Sequence, residues 1–122
     1  MAKAVHDNVL DGAFAVLDDG NIMTACSAQP TTRAEAITTF ALADVALTPG
    51  TDFTKANGDT SGRKCTIAAK AGVTVDTSGT ATHVAICDGT NLLYVTTCTS
   101  QALTAGNTVS FPAWKVEIAD PT

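Results

Sequence analysis

Residues 80–99 read TATHVAICDGTNLLYVTTCT, two runs rich in β-branched and aromatic residues on either side of the turn formers Asp88-Gly89-Thr90-Asn91. Such side chains fit a pleated, half-buried surface, and a short Asp/Gly/Asn segment between two of these runs marks an antiparallel hairpin. With Cys87 opposite Leu92, alternation sets Ile86 across from Leu93 and Val84 across from Val95, so four aliphatic residues share one face. That face is expected to be core. The other carries His83, Ala85, Cys87, Leu92, Tyr94 and Thr96, an amphipathic surface that calls for cover from a helix or from another subunit. In this register Cys98 falls opposite Ala81, too far from Cys87 for a disulfide.

Outward from the hairpin, further short runs of the same kind occupy residues 22–27, 40–48, 63–69, 73–76, 108–111 and 114–119. They are separated by turn signals such as Pro49-Gly50, Lys70-Ala71-Gly72, Ser78-Gly79, Ala105-Gly106-Asn107 and Pro112. Repeated short strands at this spacing predict a mainly β fold, a compact antiparallel β-sandwich or barrel. The main sheet would run from about residue 22 to 119. One helix is expected at about residues 5–18, where Val9, Leu10, Ala13, Phe14 and Leu17 recur on one face behind Asp7 as N-cap, and Asp18-Asp19-Gly20-Asn21 ends it. It should lie as a lid on the sheet. Pro30 disfavours helix before it, and Arg33-Ala34-Glu35-Ala36 suits a single helical turn. Residues 52–62, polar and glycine-bearing, read as the longest loop.

The chain has 122 residues, the size of one domain. Its residues are 45% hydrophobic but only 5% aromatic, so the core must be built mainly from Val, Ile, Leu and Ala and gains from neighbours. Seven Lys and Arg against twelve Asp and Glu give a net charge of −5, with no basic run to track phosphates, so nucleic acid is not an expected partner. No stretch approaches the roughly twenty apolar residues of a membrane span, and the acidic first twenty residues do not resemble a secretory signal. The expected place of synthesis is the cytoplasm of the producing cell. Cys26, Cys65, Cys87 and Cys98 form no C-x-x-C pair and sit in apolar or Thr-rich runs, which reads as four buried small hydrophobes.

Catalytic and ligand motifs are not found. His83 and Asp88 stand near Ser and Thr residues, but no G-x-S-x-G elbow occurs, and a strand histidine satisfied by a neighbour is the plainer reading. His6-Asp7 reads as a helix start. Asp52, Asn57, Gly58 and Asp59 lack the spacing and distal Glu of a calcium loop, and Gly62-Arg63-Lys64 lacks the Gly-Lys-Ser/Thr of a phosphate loop. The expectation is no enzyme, no catalytic residue, no cofactor and no metal.

The stretches HDNVLD (6–11), CSAQP (26–30), NGDTSGRK (57–64), GTATHVA (79–85) and PAWKVEIADP (112–121) resemble a group of small proteins encoded among the structural genes of tailed bacteriophages. The resemblance spans nearly the whole chain and implies a virion component. Within that class, size and β-rich character are similar to the capsid decoration, or cement, proteins, which bridge neighbouring major capsid proteins, commonly as trimers or dimers. The partners so implied are the major capsid protein or other virion proteins, and further copies of the chain. A tail, neck or fibre-base component is the alternative, and a receptor- or carbohydrate-binding module a second one. From expected exposure, the residues predicted to touch a partner are Lys3, Lys55, Asn57, Asp59, Arg63, Lys64 and Trp114, the last at the Pro112–Trp114 corner although its bulk suits the core.

Overall fold

The computed structural model describes residues 5–119. Helix α1 (Asp7–Leu17) is followed by β1 (Ile22–Cys26), a π-helical turn (Glu35–Thr39), β2 (Ala41–Ala46), β3 (Phe53–Asn57), β4 (Arg63–Ile67), β5 (Lys70–Thr74), β6 (Gly79–Cys87), β7 (Leu92–Leu103), β8 (Thr108–Phe111) and β9 (Trp114–Ile118). Every strand pairing is antiparallel. A four-stranded sheet runs β2-β1-β6-β7, a three-stranded sheet β3-β4-β9, and β5 pairs with β8. The architecture is thus the sandwich expected from the strand spacing, with one N-terminal helix.

The core lies where the sheets face each other. Met23, Ala25 and Ile86 from one sheet meet Phe53, Cys65 and Ile67 from another, with Val73 and Phe111 from the β5/β8 pair and Phe14 and Leu17 from α1. Burying these side chains supplies the main driving force, at roughly 1.5–3 kcal/mol for each large one. The helix packs against β4 and β7 on this side. Its cap is His6, one residue earlier than expected: His6 Nδ1 accepts from the Asn8 N–H at 3.0 Å, and Asp7 occupies the first turn, where its charge complements the helix dipole.

The hairpin forms around Cys87 and Leu92 as read, but its register shifts immediately. Ile86 opposes Tyr94, Ala85 opposes Val95 and Val84 opposes Thr96, because Leu93 is an extra residue on β7. The bulge turns both Leu93 and Tyr94 toward the main core, while Leu92 and Val95 go to a second, smaller cluster with Cys26, Ala36, Ala85 and Cys87. The π-helical turn covers that cluster through Ala36, Ile37 and Phe40, so the chain itself, and not α1, covers the amphipathic face. A second shift leaves Cys98, Thr99 and Ser100 opposite the single Thr82, between the pairs His83–Thr97 and Ala81–Gln101. Cys98 therefore does not face Ala81, and β7 reaches Leu103.

The expected loop over residues 52–62 is instead mostly strand. β3 pairs with β4 from Phe53–Ile67 to Asn57–Arg63, leaving a short turn closed by Gly58 N–H to Gly62 O at 2.9 Å. Gly62 has φ +71°, and a Cβ there would lie 1.9 Å from the Ile118 carbonyl oxygen, so the turn needs glycine. Lys70-Ala71-Gly72, expected as a break, is the bulged start of β5. Helical backbone begins at Arg33 as expected but runs on to Thr39, its last five residues forming the π-helical turn, and the Glu35 carboxylate braces its start by accepting from the Thr31 N–H at 2.8 Å and the Thr31 hydroxyl at 2.6 Å.

Candidate protein interface

The two larger sheets end on the same side of the sandwich. β7 is the last strand of one and β9 the last of the other, and their aromatic residues Tyr94 and Trp114 lie with ring centroids 5.8 Å apart. Among the described residues no strand lies on the far side of β7. The opposite end of that sheet is better closed: Ala43 of β2 bridges to Val75, and Leu42 O accepts from Asp76 and Thr77 N–H at 2.8 and 3.1 Å.

Three apolar hollows follow β7 along this open side. The first, about 370 Å³, lies between α1 (Val16, Leu17), β7 (Leu93, Tyr94) and β9 (Val116, Ile118). The second, about 280 Å³, is set between Thr96–Cys98 of β7 and Pro112 and Trp114. The third, about 240 Å³, continues past Thr99, Gln101 and Leu103 toward Val109 and Phe111. Their only charged lining residues are Glu117 and Lys115, opposite in sign and 3.5 Å apart. β7 itself carries no charged residue and no proline over its 12 residues. The side is thus apolar, electrically neutral and edged by free backbone groups, which are the ordinary properties of a protein contact surface. Val16, 58% exposed beside the first hollow, extends the apolar surface.

Of the residues expected to touch a partner that the structure describes, all but one are placed elsewhere. Trp114 lines the middle hollow, half-buried, and its indole N–H donates to Met23 Sδ at 3.4 Å. Lys3 lies outside the described residues. The others are engaged within the chain. Lys55 Nζ lies 2.7 Å from Asp18, and Arg63 takes both carboxylate oxygens of Asp11 at 2.9 and 3.2 Å while also donating to Asn57 Oδ1 at 3.0 Å. These pairs strap α1 to the three-stranded sheet: Lys55 and Arg63 share with Phe53, Cys65 and Ile67 the strand face turned toward the helix. The Arg63 guanidinium holds the Asp11 carboxyl below its usual range, and Asp18 raises the Lys55 ammonium. Lys64 pairs with Asp59 at 2.7 Å, and Asp59 also binds Lys115.

The remaining candidates for chemistry have structural duties. Asp88 accepts from the Thr90 and Asn91 N–H groups at 2.7 and 2.6 Å and so builds the hairpin turn, which lowers its pKa; Arg33 Nε binds the Asp88 carbonyl at 2.7 Å. His83 Nδ1 shares a hydrogen bond with the Thr82 hydroxyl at 2.8 Å. Among the described residues no group of three His, Cys, Asp or Glu is placed to hold a metal ion, and no helix is long and apolar enough to cross a membrane. All four cysteines are free thiols; Cys26, Cys65 and Cys87 are buried as expected, but Cys98 is only half-buried at the edge of β7. Burial pushes the Cys65 thiol up to about 11, with the Asp18 carboxylate adding to it.

Sequence reasoning missed the edge, although its signal was present as the longest uncharged, proline-free strand run in the chain, and edge position follows only from topology. No family model, no curated protein and no solved structure matches this chain.

Proposed function

We propose that this protein is a structural subunit of a tailed-phage particle, a capsid decoration protein that stabilises the head by bridging major capsid proteins. The observation that carries the packing role is the open side between β7 and β9: apolar, neutral, edged by a long strand with a neighbour on one side only among the described residues, and lined by one of the expected contact residues, Trp114. The placement in a phage particle rests on the resemblance of the five stretches quoted above, and the placement on its head on the size and β-rich character that resemble the decoration proteins. The physics suits the role. A protein repeated at many identical junctions stabilises a shell through multivalency, so a modest contact at each junction is enough.

The reading has a direct test in copy number. Quantitative mass spectrometry of purified particles should find the protein in hundreds of copies, and added protein should bind particles that lack it. A few or a dozen copies would place it in the tail or neck, and absence from particles would end the proposal.

A further inference from the structure

We propose that the β7 edge pairs with β7 of a second copy of this chain, antiparallel across a two-fold axis, joining two sandwiches side by side. The inference deepens the packing role proposed above and rests on it, by naming the neighbour that covers the open side.

Three observations point to a second copy rather than a partner of other chemistry. First, β7 has unpaired backbone groups over a long run: among the described residues it has a neighbour on one side only, and Cys98, Thr99 and Ser100 face the single Thr82, so the β6 ladder does not use all of their N–H and C=O groups. An added strand satisfies such groups directly. Second, the charge pattern selects the partner. A chain of net charge −5 repels its own copy over most of its surface, but this side offers no charge on β7 and only the opposed Lys115 and Glu117 in the hollows, so two copies meet here without like charges opposite each other.

Third, the strand matches itself when reversed. Symmetric antiparallel strands need the axis at a facing residue pair, and an axis at Cys98 sets Leu93 against Leu103, Tyr94 against Ala102, Thr96 against Ser100 and Thr97 against Thr99. Apolar residues then meet apolar ones and hydroxyls meet hydroxyls, except for Val95 against Gln101. The two Cys98 thiols face each other across the axis, at a Cα separation of about 4.5–5.5 Å, which is within disulfide range.

Sedimentation of the reduced protein, with and without the exposed-site double variant Thr97→Lys/Thr99→Lys, tests this. The wild type should sediment as a dimer, and the variant should weaken dimerisation by about tenfold or more, since each lysine then faces a lysine of the other copy. At a concentration low enough that both proteins are monomeric, a melting temperature of the variant unchanged from wild type would assign that loss to the interface and not to unfolding. Diamide, which takes two electrons and two protons from a pair of thiols, should link wild-type chains through Cys98 and leave Cys98→Ser unlinked. A wild type that stays monomeric, or a dimer that survives the double lysine variant and forms no Cys98 link, overturns the proposal. Binding to particles separates the two readings: a monomer that still binds overturns the dimer alone, and a dimer that binds no particle supports the dimer and overturns the decoration role.

Discussion

At the scale of single residues, the charges that looked available to a partner serve the fold. Arg63 and Asp11 tie α1 to the sheet, and the sign of their pH dependence follows from the depressed Asp11 pKa. A carboxyl lowered by folding contributes stability above its unfolded value of 3.8, and that contribution is lost as pH falls through the folded value. The melting temperature of Asp11→Asn should therefore lie slightly below wild type at neutral pH and converge with it in acid; the gap should also shrink in high salt. An equal gap at every pH would show that the pair contributes nothing through charge. Gly62→Ala should cost on the order of 2 kcal/mol in urea unfolding, because the left-handed φ and the approach to the Ile118 carbonyl both exclude a side chain. Thiol labelling of the native protein should modify Cys98 first. Cys65, buried and with its pKa near 11, should react only as the chain unfolds.

At the scale of elements, the bulges in β7 decide which face each residue joins. Leu93 is the inserted residue, so its removal should keep Ile86 opposite Tyr94 and leave the second cluster intact, at a cost of about 2–4 kcal/mol for the apolar side chain lost from the core; chemical denaturation checks this. The alternation of residues 80–99 was legible as a hairpin, and its turn was placed by Asp88 and Gly89. Register was not legible, because a bulge is a choice between packing Leu93 or Tyr94 inward, and the resolution here packs both. β3 was hidden for another reason. On its helix-facing side Phe53 is followed by Lys55 and Asn57, which read as polar because Asp18 at the helix end pairs with Lys55 and Arg63 links Asn57 to Asp11, and neither partner can be inferred from local pattern. Of the contact residues expected in that stretch, Asn57 and Asp59 are exposed, whereas Lys55 and Arg63 are half-buried against the helix end and helix residues that pair with them, which local pattern does not reveal.

At the scale of the whole molecule, a thin aliphatic core and two sheets that end together leave one side of the sandwich incomplete. The three hollows along β7, the half-buried Trp114 and the uncharged strand edge are all consequences of that geometry. Covering this side should raise the stability of the protein in the assembled state, so its melting temperature on particles should exceed that of the free chain, as binding to the native state alone requires. The most direct test of the account is amide hydrogen exchange compared between the free chain, diluted until it is monomeric, and particle-bound protein. Packing through the open side predicts slowed exchange across Leu92–Leu103 and Trp114–Ile118, with β2 unchanged. Slowed exchange at the β2 edge or on the outer face of β3, with β7 exchanging as in the free chain, would contradict it.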